Sequence, residues 1–99
     1  MTRKHRRQPR EIWNITRKRI WQRDGKACKR CQTPLKLNKC HIDHTLPLSK
    51  GGTNADDNLR VLCVVCHTLR SDRSHQGLIA RALKKGLIPP DWRPLVWDD

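Results

Sequence analysis

The chain contains neither tyrosine nor phenylalanine, and only 35% of its 99 residues are hydrophobic. So short a chain with so few large apolar side chains cannot bury a generous core, and something besides burial must staple it. Acidic residues are scarce as well. Nine Asp and Glu stand against 22 Lys and Arg, a formal charge of +13, which implies a polyanionic partner, nucleic acid before any other. No apolar run has the length of a membrane span, no secretory signal is evident and no segment repeats. A reducing compartment is therefore expected: the cytoplasm, or the host cell cytoplasm if the chain is phage-encoded.

The staple is visible in the cysteines. Cys28-x2-Cys31 and Cys63-x2-Cys66 are two tight pairs, each able to turn two thiolates toward one point, and together they complete the tetrahedral four-sulfur set of a structural Zn2+. The odd total of five cysteines argues against a disulfide framework. Zinc bound in this way releases free energy of order ~10 kcal/mol, comparable to the whole stability of a small domain, so the metal is part of the fold. Cys40 is left over and reads as a small buried strand residue.

Along the chain, residues 1–9 read as a basic arm, residues 10–73 as a zinc-stapled domain and residues 74–99 as a helix and tail packing on it. In the arm, Arg3, Lys4, Arg6 and Arg7 are placed to lie along phosphates, or to be a solvated tail until a partner is present. Ile12, Trp13, Ile20 and Trp21 recur at helical spacing between Arg10 and Arg23 with cations between them, of which Arg17 is a further expected phosphate contact, and the apolar side of this helix is expected to cover the zinc knuckle. A short strand is expected around Leu35 to Leu37 and a second from Cys40 to Leu46. Alternation puts Cys40, Ile42 and Leu46 on one side and His41, Asp43 and Thr45 on the other, with His44 at the end where the period can break. A glycine-centred loop follows at Gly51-Gly52, and Asp56-Asp57-Asn58 reads as turn and helix-entry chemistry. The run from His67 to Arg73 reads as a helix, with Arg70 and Arg73 either reaching phosphate or simply solvated. Leu78, Ile79, Ala82 and Leu83 predict another, stopped by Gly86 and Pro89-Pro90, and Trp92 and Trp97 fold back as packing.

The segment His41-Ile42-Asp43-His44, bracketed by the cysteine pairs, offers a carboxylate and imidazoles without thiolates. Such an oxygen and nitrogen site can stay open to water and substrate. Together with Asn58 and with His67 directly after Cys66, it resembles the HNH endonucleases, whose zinc-stapled ββα-metal fold is a small α+β unit. The letters fall on His44, Asn58 and His67, and the likeness covers roughly residues 20 to 73, with the Pro-Leu-Ser-Lys-Gly-Gly loop and an Asn-Leu pair.

The resemblance implies a DNA phosphodiester hydrolase that leaves 5'-phosphate ends, with His44 as general base and Asp43 and His67 holding one divalent ion, Mg2+ or Mn2+. Asn58 would tie the loop to the strand and orient His44. An unperturbed imidazole, with a pKa of ~6.5, can be neutral at working pH and take a proton from water, as this role demands. Alternatives stay open at several positions. His67 could enter the zinc sphere in place of a cysteine, Asn58 could be only a turn former, and His41 either steadies a ligand or faces substrate. Asp43 and His44, adjacent on a strand, point to opposite faces unless the strand end bends. A non-catalytic zinc-knuckle DNA-binding module would explain the charge and the four thiolates equally well. A homodimer, or a nuclease subunit of a larger complex, is a third reading.

Overall fold

A computed structural model describes residues 9–70 and 76–98. Of the expected phosphate-binding residues, Arg3, Lys4, Arg6, Arg7 and Arg73 lie outside the described residues. Helix α1 spans Arg10–Arg23, the bounds its apolar spacing predicts, with Glu11 in the first turn and Arg23 in the last, each charge complementing the helix dipole. Its fully buried Ile20 packs with Cys40, Leu59 and Val61, and Trp13, Trp21, Leu35, Leu37 and Ile42 surround that cluster. The helix thus covers one face of the sheet rather than the zinc knuckle, contrary to expectation. The sheet offers it a continuous apolar surface, whereas the cysteines are covered by Leu62, Leu35 and Trp97 instead.

The turn after α1 is tied down by charge. Asp24 Oδ1 accepts from Arg23 Nε at 2.9 Å and Oδ2 from the Val61 amide at 2.9 Å, while Arg23 also donates to the carbonyls of Asp56 and Leu59. Beside this carboxylate and that of Asp56, the Arg23 guanidinium is held above its usual pKa, with the Asp24 hydrogen bond the main cause. The strand expected at Leu35 to Leu37 does not form. One bridge joins Ala27 to Pro34, and Leu37–Lys39 turns as a 3-10 helix; Pro34 has no N–H with which to extend a ladder.

Strands β1 (His41–His44) and β2 (Leu59–Leu62) pair antiparallel, with His41 opposite Leu62, Ile42 opposite Val61, Asp43 opposite Arg60 and His44 opposite Leu59. Cross-strand partners share a face. Ile42, His44, Leu59 and Val61 therefore look toward α1, and His41, Asp43, Arg60 and Leu62 look the other way. Period two holds through His44, while Leu46, expected on the side of Cys40 and Ile42, is 47% exposed in the loop beyond.

Helix α2 runs Val64–Leu69, starting before and ending before the expected His67 to Arg73. Cys63 sets the start, its sulfur accepting from the Cys66 amide at 3.4 Å. At the other end Arg70 leaves the helix for an extended bridge to Trp97, whose amide donates to Leu69 O. Helix α3, Gln76–Lys84, uses Ala82 and Ile79 to pack with Leu69, Ile88, Val65, Trp92 and Trp97, so both tail tryptophans fold back as expected. The result is a small α+β fold in which β1, β2 and α2 enclose a cysteine cluster, and no described helix is long and apolar enough to cross a membrane.

The loop between the strands closes on itself at Gly52. A Cβ there would stand 1.8 Å from Leu46 O, 2.7 Å from Leu46 C and 2.9 Å from Pro47 O, and none of these backbone atoms can swing aside. Gly52→Ala is expected to cost about 2 kcal/mol or more by overpacking, lowering the melting temperature by of order 10 °C; a thermal scan by circular dichroism checks it. An unchanged melting temperature would mean that the loop does not close in this way.

Candidate active site

Two centres of different chemistry sit on either side of the strand β2 to helix α2 connection. At the first, the sulfurs of Cys28, Cys31, Cys63 and Cys66 lie within 4.8 Å of one another. Each pair forms a knuckle in which the second cysteine's amide points at the first one's sulfur, Cys31 N to Cys28 at 3.5 Å and Cys66 N to Cys63 at 3.4 Å. Such amides offset thiolate charge. Without metal the thiols are unequal. Hydrogen bonds from Thr33 bring Cys31 down to about 6, whereas burial pushes Cys63 and Cys66 up. A cluster in which burial penalises thiolates but geometry gathers them suits a divalent cation, and four soft donors at this spacing fit Zn2+.

The second centre is on the β1 face turned away from α1. Asp43 is only 2% exposed. Its Oδ2 accepts from Arg60 Nε at 2.9 Å and its Oδ1 from Arg70 Nη1 at 3.1 Å, with His67 Nε2 at 3.6 Å from the same Oδ1. A buried carboxylate needs such partners. His41 lies behind His67, Nδ1 to Nδ1 at 2.9 Å with the rings edge to face. One nitrogen donates and the other accepts, so His67 is steadied with Nε2 directed at Asp43. Arg70 was expected to reach phosphate from the surface, but it is 6% exposed and turned inward, donating also to the carbonyls of His44 and Thr45. The end of the helix explains the difference: Arg70 leaves α2 in an extended conformation, bridged to Trp97, and its side chain turns in toward Asp43 and the end of β1.

A divalent ion fits the pair Asp43 and His67 in separation, since two ligands bonded at ~2.1 Å to one ion stand roughly this far apart. An ionised carboxylate has about four lone-pair sites, of which the arginines use two. Among the described residues, though, the four cysteines form the group of three or more metal-ligating side chains gathered closely enough for an ion; Asp43 and His67 offer two candidate donors.

His44 is on the α1 face. Its Nε2 is 2.8 Å from Asn54 Oδ1, and its ring stacks on Trp13, centroids 6.1 Å apart and planes 9° from parallel. Asn58 closes the loop between the strands: Oδ1 accepts from Leu46 N at 2.8 Å, and Nδ2 donates to Leu46 O at 3.0 Å and Thr53 O at 2.8 Å. It reaches His44 through the loop rather than directly. Arg17 Nη2 donates to Cys40 O at 2.8 Å, so this guanidinium pins helix to strand.

Sequence reasoning missed Asn54, Trp13 and Arg60. Arg60 was detectable once the strand register was fixed opposite Asp43. Trp13 precedes Arg17 by one helical turn and Ile20 by two, a stripe that strand parity would have aligned with His44. Asn54 carried no signal beyond its place in the glycine loop.

An antiparallel hairpin, a short helix and a four-thiol centre define the ββα-metal class. Residues 28–73 match the family model described as HNH endonuclease. The family points to nuclease-type chemistry with nucleic acid as substrate. No curated protein and no solved structure matches the chain.

Proposed function

We propose that this protein is a metal-dependent HNH endonuclease hydrolysing DNA phosphodiester bonds, with His44 as its general base. The observation that carries the reading is the contact between His44 Nε2 and Asn54 Oδ1. An amide oxygen only accepts, so in the neutral imidazole the proton sits on Nε2 and the lone pair on Nδ1. Nδ1 then takes a proton from water, the resulting hydroxide attacks phosphorus in line, and the bond to the 3' oxygen breaks, the leaving oxygen taking a proton from solvent to give a 3'-hydroxyl and a 5'-phosphate. Asp43 Oδ1 and His67 Nε2 would hold the divalent ion, Mg2+ or Mn2+, which would supply Lewis-acid stabilisation of charge on the phosphate and leaving oxygen; because they lie on the face of β1 opposite His44, the phosphate must sit across the end of the strand to meet both. His41 fixes the ring of His67, and Asn58 fixes the loop that carries Asn54. Arg60 and Arg70 place two positive charges against one carboxylate, and the excess favours a phosphate nearby.

The basic arm of residues 1–9, with Arg3, Lys4, Arg6 and Arg7, and also Arg73, supplies salt-sensitive contacts to the DNA backbone. Residues 10–73 form the nuclease domain and residues 74–99 brace it. One site cuts one strand, so a double-strand break requires a homodimer or two encounters.

One observation favours a second reading. Both Asp43 oxygens already accept from arginines, as suits a non-catalytic zinc-knuckle DNA-binding module. Incubation with supercoiled plasmid and Mg2+ or Mn2+, beside an EDTA control, separates them. Metal-dependent conversion to open-circle or linear DNA is expected. Tight, salt-sensitive binding without conversion would establish the binding module, or a subunit that cleaves only within its complex.

A further inference from the structure

We propose that Trp13 is a positioning residue for His44, so that the active site includes helix α1, which lies outside the matched segment 28–73. The proposal rests on the nuclease reading and names a component of the site that the HNH segment does not contain. His44 is the last residue of β1, its backbone held opposite Leu59 and by Arg70 at its carbonyl, which leaves the orientation of the side chain to be set by what the ring touches. Its Nε2 is fixed by one hydrogen bond, to Asn54 Oδ1. A single hydrogen bond fixes a point and leaves the ring free to rotate about it. The second constraint is the indole of Trp13, lying 9° from parallel with the imidazole. Point and plane together define the direction of Nδ1, the atom that must meet water, and a displacement of about 1 Å in a reacting group costs as much as ~100-fold in rate.

The indole is itself held in place. Along α1, Trp13, Arg17 and Ile20 occupy successive turns of one face. Arg17 donates to Cys40 O just before β1, and Ile20 is fully buried against Cys40, Leu59 and Val61. The helix is thereby locked against the strand at two points beyond the stack, and it carries Trp13 to the strand's end in fixed register. Plain core packing does not require the two rings to lie parallel, because any bulky apolar group would fill the space. A flat ring is needed only to set the plane of another ring.

The test compares W13L and W13F with W21L, which removes another indole from the same apolar cluster without touching His44. Plasmid cleavage is measured under saturating Mn2+, with zinc content and melting temperature recorded for each protein. W13L is expected to lower kcat about 10- to 100-fold with KM within twofold, W13F to stay within about threefold of wild type, and W21L to lower the melting temperature while leaving kcat unchanged. Wild-type kcat in W13L, or equal kcat losses in W13L and W21L, overturns the proposal. In isotopically labelled wild-type protein, nuclear Overhauser contacts between the Trp13 and His44 rings are expected, and their absence overturns it whether or not any variant folds. A wild-type protein that cleaves nothing, or a His44→Ala variant that cleaves normally, instead overturns the nuclease reading beneath it.

Discussion

Removing zinc with a strong chelator is expected to unfold the protein, with loss of helical circular dichroism over the whole chain rather than local fraying. The apolar clusters are small: Ile20, Cys40, Leu59 and Val61 in one, Cys28, Leu62 and Cys66 in another, Leu69, Ala82 and Ile88 in the third. The second of these is built on the cysteines themselves. Zinc in a four-thiolate site contributes roughly 10–16 kcal/mol of folding free energy, against ~5–15 kcal/mol for an entire domain, so the remainder does not sustain a folded state. Cys28→Ser and Cys66→Ser should each mimic chelation, because both side chains are buried and each supplies one quarter of the coordination. Acid should do the same, since protons compete with the metal for thiolates. Replacement of zinc by Co2+ should restore the fold and give the visible absorption of tetrahedral thiolate coordination. A chelated protein that keeps its helical signal and melts cooperatively would show that the cysteines are not the staple.

The second large effect is chemical. His44→Ala is expected to lower plasmid cleavage about 10²–10⁴-fold, or roughly 3–5 kcal/mol in barrier, while DNA affinity at fixed salt changes less than twofold. The two should separate because His44 is held by Asn54 and Trp13 and takes part in none of the ion pairs around Asp43. Zinc content and melting temperature should stay near wild type, as the imidazole is only half-buried. Gel-shift titration beside the cleavage assay checks both quantities. Cleavage that survives the substitution would remove His44 from the mechanism.

Much of this was legible in the sequence, for identifiable reasons. The bounds of α1 followed from apolar spacing, and the zinc set from two CxxC pairs, because both signals are local. Strand parity correctly separated Ile42 from His41 and Asp43, and it holds through His44 as well. The unread parts depend on tertiary contacts. The strand at Leu35 to Leu37 was overridden by Pro34, which cannot extend a ladder. Helix α2 begins early because a cysteine sulfur caps it, a role that composition does not announce. Arg70 looked like a surface cation because nothing in its neighbourhood in sequence reveals a buried Asp43 some 27 positions earlier waiting to accept from it. The helix was assigned to the zinc knuckle rather than to the sheet because spacing gives a helix an apolar face without saying what that face meets.

The register of the hairpin carries a consequence for how the protein tolerates change. In β1, alternate residues serve different compartments: His41 and Asp43 on the arginine side, Ile42 and His44 on the helix side. Loss or gain of one residue in that strand would exchange the compartments wholesale, putting an isoleucine among guanidiniums and a carboxylate against Ile20. Individual side chains can be altered one at a time at graded cost, but the strand admits no graded change in length. Its residue count is therefore under tighter constraint than its composition, and natural variation in this region should appear as substitution within β1 and as insertion only in the loop beyond Thr45.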